Sequence, residues 1–299
     1  MPLLLHLAQG ESSLYWHWHP DVMLLCVFLL AGYWYAVTQL RDVISDAGRV
    51  KRSQVALYVS GVACIYVASS SPIHEISEDY LASVHMVQHM LYTLIAPPLL
   101  IAGMPAWLLR APLRNGAALR VTRLALYPLV AFTAFNAVQL LTHLPSAVDL
   151  ALTHHYVHLG VHVLLVATAL MMWWPVLSPI DELPRLSYPL QMAYLFVQSL
   201  LPAVLAAFIT FSNGTFYAYY ESAPRLWGIA PREDMQWAGF VMKIVGSLVL
   251  WSFIAWAFFR WYERENADSY DPRWDDVREE LLRMGVPMAE PRGPRPELR

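Results

Sequence analysis

Seven long apolar runs constrain this chain more than any other feature of its sequence. They lie at about 22–40, 54–71, 80–102, 122–142, 155–175, 188–211 and 236–259. Each is close to the roughly 20 residues that an α-helix needs to cross a bilayer. A chain in lipid must satisfy its backbone hydrogen bonds internally, so the runs predict helices rather than open sheets. The sequence therefore predicts an all-α, polytopic membrane protein, a bundle of seven transmembrane helices.

The composition supports a membrane location. Of the 299 residues, 57% are hydrophobic and only 14% are charged, whereas soluble domains carry about 25% charged residues. The net charge of −3 gives no indication of a nucleic-acid partner. Cys26 and Cys64 both lie inside apolar runs, without a Cys-x-x-Cys motif. Neither a disulfide framework nor a thiolate metal site is therefore expected.

Basic residues between the runs give the predicted bundle an orientation. They concentrate in the first, third and fifth connections, while the second and fourth connections have none. Those in the three basic connections are Arg41, Arg49, Lys51 and Arg52, then Arg110, Arg114 and Arg120, then Arg185. Lys and Arg favour the cytoplasmic side of a membrane. The N-terminus is therefore predicted to lie outside and the C-terminus inside.

This orientation divides the chain into three parts. Residues 1–21 are predicted to form an extracytoplasmic lead, residues 22–260 a seven-helix membrane domain and residues 261–299 a cytoplasmic tail. The tail is rich in Arg, Glu, Asp and Pro, a composition typical of disorder. We expect a short helix around Trp274–Met284, followed by a disordered segment.

All eleven histidines fall on the predicted external side. Three pairs are spaced four residues apart, which places their side chains on one helix face. One pair, 85 and 89, is in the third run, and the pairs 154/158 and 158/162 open the fifth. Random scatter of the histidines would give about 0.4 such pairs. We therefore predict one shared metal site, whose main ligands are His85, His89, His158 and His162.

The residue types around these histidines favour copper. Imidazole suits copper, zinc, iron and nickel, whereas the thioether sulfur of methionine favours copper(I). Four methionines are assigned to the same outer half or its approach, namely Met86, Met90, Met104 and Met235. Copper is therefore the expected metal, with zinc or haem as alternatives.

Other polar residues are candidates for supporting roles. A single histidine in a membrane span often only bonds to a neighbouring helix, and this alternative stays open for His74, His143 and His155. Asp234, before the seventh run, is a candidate for holding a ligating imidazole in one tautomer. Glu75 and Glu78 are interpreted as solvated loop charges.

Two other functions are compatible with the histidine pattern. A zinc hydrolase would use three imidazoles, an open fourth position and a carboxylate to activate water, but the sequence shows neither a substrate cavity nor a positioned base. A haem-binding electron carrier would take one histidine from the third run and one from the fifth. We favour a non-enzymatic metal-handling protein over both.

Several motifs in this chain are distinctive. They are Trp18-His19-Pro20, Ser71-Pro72, SVHMVQHMLYTLIAPPLLIAGMP in the third run, Thr142-His143-Leu144-Pro145, the His158/His162 pair, Trp173-Trp174-Pro175 with Ser178-Pro179, and Asp234-x-Gln236-x-Ala238-Gly239. Together they run from about residue 16 to residue 250. In these stretches the chain resembles the CtaG-type assembly factors of caa-type cytochrome c oxidases.

The resemblance implies a seven-spanning protein of the bacterial inner membrane that helps to build active oxidase by delivering or inserting copper. The implied partners are cytochrome c oxidase subunits, a periplasmic copper donor and the lipid bilayer.

Histidine ligands would lose affinity for the metal as they protonate near pH 6.5. The full set of candidate ligands is His85, His89, His158, His162, His154, His143 and His19, with Asp234 in support.

Overall fold

The structure, a computed structural model, describes residues 19–44, 47–267 and 274–286. Regular structure in these ranges is entirely helical, which confirms the all-α prediction. In chain order the α-helices are α1 (Pro20–Thr38), α2 (Arg52–Ser70), α3 (Pro72–Asp79), α4 (Ala82–Met90), α5 (Ala96–Gly103), α6 (Ala106–Arg110), α7 (Gly116–Ala125), α8 (Pro128–Thr142), α9 (Pro145–Thr153), α10 (His155–Leu177), α11 (Tyr188–Phe211), α12 (Ala218–Ser222), α13 (Pro231–Ala267) and α14 (Trp274–Arg283). Two 3-10 turns, Leu40–Asp42 and Ala111–Arg114, and a π-helical turn, Leu91–Ile95, complete the set.

Six helices in the described residues are long and apolar enough to cross a membrane. Five of them contain α1, α2, α10, α11 and α13. The sixth, called the central span below, is the continuous helix Ala82–Gly103 that comprises α4, the π-turn and α5. These helices fit a multi-pass membrane protein. The last one extends to Ala267, beyond the predicted end near 259, and α14 confirms the short helix predicted in the tail.

The predicted fourth span, at 122–142, is broken. In its place α7 and α8 meet at an angle of 59°, and the 15 residues of α8 extend only about 22 Å. A residue before proline is driven out of the helical region, and Tyr127 before Pro128 accordingly has a ψ of 131°. If α7 and α8 are counted together as one bent span, the described residues contain seven candidate spans. The seven-span topology and the orientation of the termini stay predictions.

The central span is the most buried of the six. In its apolar 18-residue stretch 67% of the residues are buried inside the protein, compared with at most 44% in the other five spans. The turn in the middle of the central span, Leu91–Ile95, is π-helical and therefore wider than an α-helical turn, and Pro97 follows it two residues later. Proline has no N–H to donate to the carbonyl four residues earlier, which is that of Thr93. The indole Nε1–H of Trp173 donates to this carbonyl instead, at 2.9 Å. This bond fixes α10 against the central span.

The last span packs along α11 through a close approach at Gly239. A Cβ atom there would overlap the carbonyl oxygen of Ala206 and the side chain of Thr210. Small residues allow helices in a membrane to come this close. The start of α13 is thereby held against both α11 and α4, and Asp234 lies in this first turn.

The histidines among the described residues and the described parts of the three basic connections lie at opposite ends of the bundle. One end, called the histidine end below, contains α3, α9 and the first turns of α4 and α10. At the other end Nε of Arg110 lies 3.0 Å from both carboxylate oxygens of Glu182. His6 and His17 lie outside the described residues, as do most of the predicted lead and the end of the predicted tail.

Candidate metal centre

Four histidines from two helices meet at the histidine end, and they are called the histidine cluster below. On α4, Nε2 of His85 lies 2.8 Å from Nε2 of His89. On α10, Nε2 of His158 lies 3.1 Å from Nε2 of His162. Between the helices, the rings of His85 and His158 stack with centroids 5.5 Å apart, and those of His89 and His162 meet at 5.3 Å.

The spacing of the ring nitrogens is close to that of a metal site. One nitrogen each from His85, His158 and His162 lies within 4.8 Å of the other two. Three nitrogens at about 2.1 Å from one tetrahedral ion would lie about 3.4 Å apart. Rotation of the side chains about their own bonds can close this difference. The two helices thus bring three of the four predicted main ligands within reach of one ion, and His89 lies beside them.

A small internal cavity of about 30 Å³ lies beside the cluster. His85, His89 and His143 line it, and each has one buried ring nitrogen without a hydrogen-bond partner in the described residues: Nδ1 of the first two and Nε2 of the third. An unsatisfied buried polar atom costs about 1–3 kcal/mol. The volume suits a single ion or water molecule. In the His85–His89 hydrogen bond one ring donates from Nε2 and the other accepts, so one of their two Nδ1 atoms offers a lone pair to an ion in the cavity, as Nε2 of His143 does.

His143 is prepared to offer such a lone pair. Its Nδ1 lies 2.7 Å from the carbonyl oxygen of Gln139, and because a carbonyl only accepts, Nδ1 carries the proton. Nε2 is therefore the free acceptor, and the ring meets that of His89 at 5.4 Å. Burial lowers the pKa of His143, although the bond to Gln139 opposes this effect. The imidazole is consequently neutral at pH 7.

Glu78 orients another member of the cluster. Its Oε1 lies 3.1 Å from Nδ1 of His158 and 3.1 Å from Nδ1 of His74. Burial raises the pKa of Glu78, but the hydrogen bond from His158 and the nearby histidine charges outweigh it and lower the pKa overall. A carboxylate bonded to one ring nitrogen fixes the tautomer and raises the basicity of the other. Nε2 of His158 is thus directed into the cluster.

The interpretation of Glu78 as a solvated loop charge was wrong, because the segment is helical. Ser71 caps α3 by accepting a hydrogen bond from the N–H of Ile73 at 3.1 Å, and Pro72 supplies a preformed first turn. His74 and Glu78 then share one face of α3. The Ser-Pro pair and the four-residue spacing were the signals in the sequence that could have indicated this.

Asp234 acts on the backbone that carries the cluster. Its two carboxylate oxygens accept hydrogen bonds from the N–H groups of Ala82 and Ser83, at 2.7 and 3.0 Å. These are the first two residues of α4, where N–H groups lack helical partners and a negative charge is favoured. Asp234 therefore fixes the start of the histidine-bearing helix, and its bonds go to this backbone rather than to an imidazole.

Two other predicted ligands lie apart from the cluster. His19 precedes α1, and its Nε2 lies 3.0 Å from Oε1 of Glu75. His154 is exposed and precedes the first turn of α10 in an extended conformation. The prediction that it shares a face with His158 therefore fails, because the four-residue period holds only within the helix.

Of the four methionines assigned to the outer half, three lie near the histidine cluster and one does not. Met86 lines the small cavity together with the histidines, and Met90 and Met235 are buried in the adjacent core. The assignment of Met104 to this end was wrong, since it packs against a cluster near the start of α2. Met86 is thus the thioether that accompanies the imidazoles.

Comparison with known proteins agrees with these observations. A family model described as cytochrome c oxidase caa3 assembly factor (Caa3_CtaG) matches residues 31–264 of the 299-residue chain. The matched part includes the central span, the whole histidine cluster and the start of α13. Neither the curated proteins nor the solved structures gave a match. The chain therefore belongs to the family of caa3 cytochrome c oxidase assembly factors.

Proposed function

We propose that this assembly factor binds copper at the histidine cluster and passes it to a cytochrome c oxidase subunit. The observation that carries the proposal is the convergence of four imidazoles from α4 and α10 beside buried, unpartnered ring nitrogens. Imidazole nitrogens that have no hydrogen-bond partner among the described residues, next to a cavity of ionic size, fit a bound cation.

The donor set favours copper over the alternatives. Imidazole nitrogens with a thioether nearby suit copper better than zinc, and Met86 lies in the same cavity wall as His85 and His89. The cavity of about 30 Å³ beside His85 and His89 has no room for a haem macrocycle. Neutral imidazoles can also release a metal without leaving buried thiolate charges behind.

The position of the cluster suits exchange with a partner. It lies at one end of the bundle, within the first turns of α4 and α10. If the basic connections face the cytoplasm, this end faces the periplasm of a bacterial inner membrane. Copper would then arrive from a periplasmic donor and leave towards an oxidase subunit without crossing the bilayer.

A zinc hydrolase is the second candidate, and one observation favours it. The carboxylate of Glu78 lies 3.1 Å from a ring nitrogen of the cluster, as in sites where a carboxylate assists a zinc-bound water. In this chain, however, the carboxylate already accepts a hydrogen bond from Nδ1 of His158. Orientation of a ligand is therefore the role that we assign to it.

Metal analysis of protein purified in detergent tests the proposal. We expect about one copper per chain after exposure to copper, and loss of that copper when His85 and His158 are both replaced by Ala. His154→Ala is the matched control, because this histidine lies at the same end but outside the cluster. Copper retained by the double variant, or stoichiometric zinc in preference to copper, would refute the proposal.

A further inference from the structure

A second, larger space adjoins the histidine cluster. This lateral groove has a volume of about 360 Å³ and lies between α1 and α10, with α2 and the central span behind it. Its walls are mostly aliphatic, including Leu25, Leu29, Ile65 and Val163. Its size is in the range of small-ligand sites. Unlike the small cavity, it has room for a hydrated ion or for a donor group that carries one.

Ligating side chains collect at the histidine end of the lateral groove. Among its lining residues are five histidines and two carboxylates, His19, His74, His155, His158, His162, Asp21 and Glu78. The described residues that line the groove include no Lys or Arg. Carboxylates without neighbouring basic residues attract cations, and a mixed set of imidazole and carboxylate ligands suits divalent metal ions.

These side chains form a connected series that leads inward. Nε2 of His19 lies 3.0 Å from Oε1 of Glu75, and the ring of His19 meets that of His74 edge to face, with centroids 4.7 Å apart. Oε1 of Glu78 lies 3.1 Å from Nδ1 of His74 and 3.1 Å from Nδ1 of His158. The exposed fraction of the side chain falls along this series, from 25% for His19 to 16% for His74 and 6% for His158.

His158 belongs to both spaces. Its ring lines the lateral groove and also the small cavity. Its Nδ1 faces Glu78, while its Nε2 faces His162 in the cluster. A metal ion passes between two sites most easily by exchanging one ligand at a time, because it is then never without ligands. Because Nδ1 of His158 keeps its proton in the bond to Glu78, Nε2 is the nitrogen that can bind the ion before the groove ligands leave it.

We propose that the lateral groove is an uptake site for the metal, in which His19, His74 and Glu78 hold an arriving copper ion. The ion then passes by way of His158 to the histidine cluster. This inference rests on the proposed function, and it adds a second site and a direction of transfer. No change of oxidation state is required, since only ligands are exchanged.

The rate of copper uptake tests the inference. Metal-free protein in detergent is mixed with one equivalent of Cu²⁺, and the bound copper is followed with time by absorbance and after gel filtration. The double variant His19→Gln with His74→Gln should take up copper about tenfold more slowly or worse, a loss comparable to that from altering groups around a metal site. His154→Gln, at the same end but outside the groove, should load at the wild-type rate.

Misfolding of the double variant would also slow copper uptake, so a second variant that fills the groove tests the inference independently. Leu25→Trp adds bulk to the groove wall and removes no ligating group, so it should slow uptake while the final copper content stays at the wild-type level. Wild-type rates in both the double variant and Leu25→Trp would overturn the uptake site and leave the proposed function intact. Failure of the wild-type protein itself to bind copper would overturn the proposed function instead.

Discussion

The carboxylate of Glu78 lies 3.1 Å from Nδ1 of His158, and an imidazole bonded in this way keeps its proton on that nitrogen. The other nitrogen then remains an acceptor that points into the cluster. Glu78 thus affects the metal through His158 rather than by touching it in the cluster. The four main histidines could be predicted from the sequence because their spacing is a local pattern. The contact between Glu78 and His158 could not be predicted from the sequence, since it depends on how α3 folds back over α4.

Glu78→Gln should weaken copper binding by about 10–100-fold, the usual effect of altering a group that orients a metal ligand. The physical reason is the loss of the negative charge that makes Nε2 of His158 more basic. Competition with a copper chelator of known affinity measures the change. Glu233→Gln, an exposed carboxylate at the start of α13, is the control. An unchanged affinity in Glu78→Gln would contradict the orienting role.

His143 makes the stability of the metal-free protein depend on pH. Burial lowers its pKa below the ordinary 6.5, with the bond to Gln139 opposing, so the unfolded chain binds a proton that the folded chain does not. Stability from this group is present above pH 6.5 and is lost as the pH falls below that value. Thermal unfolding between pH 5 and 8 should show a decline on the acid side that His143→Gln reduces. A decline of equal size in the variant would assign the effect to other groups.

At the scale of the helices, six of the seven apolar runs correspond to helices long and apolar enough to cross a membrane, because the bilayer sets the length and hydropathy of such a helix. The break before Pro128 divided one predicted span into α7 and α8, and the cap at Ser71 turned a predicted loop into α3. Both are effects of proline and capping that a hydropathy average does not register. The contact from Asp234 to Ala82 joins residues 152 positions apart, a pairing that only the packing of α13 decides.

Asp234 stabilises the start of α4, and replacing it tests how the cluster is held. Asp234→Ala should cost about 1–3 kcal/mol of stability, because two N–H groups lose their acceptor. It should also lower copper affinity, since both α4 histidines depend on where that helix begins. Asp234→Asn keeps one acceptor oxygen and should recover part of each loss. Thermal unfolding and chelator competition measure the two effects, and wild-type values in the Ala variant would contradict the capping role.

At the scale of the whole molecule, the histidine cluster and the described parts of the three basic connections lie at opposite ends of the bundle. The histidine end gathers α3, α9 and the cluster, while the other end carries the Arg110–Glu182 pair. The family match over residues 31–264 covers the histidine cluster and shows that the chain belongs to the oxidase assembly factors. The sequence predicted the polarity from charge and histidine placement. The lateral groove was not predictable, because it arises from how far α1 and α10 stand apart.

The orientation of the bundle can be tested with single cysteines in a protein that lacks Cys26 and Cys64. A cysteine in place of exposed Ser146, at the histidine end, should react in intact cells with a maleimide that does not cross membranes. A cysteine in place of exposed Asp181, at the opposite end, should react only after the cells are opened. The reverse pattern would place the cluster in the cytoplasm and exclude a periplasmic copper donor.

X-ray absorption of the copper-loaded protein tests most directly whether imidazoles of two helices share one ion. We expect nitrogen neighbours at about 2.0 Å from the copper, with the outer-shell scattering of at least two imidazole rings. Removing His85 should lower the number of imidazoles, and so should removing His158, because each helix contributes ligands. A spectrum without imidazole scattering, or one that responds to changes on only one of the two helices, would contradict the shared site.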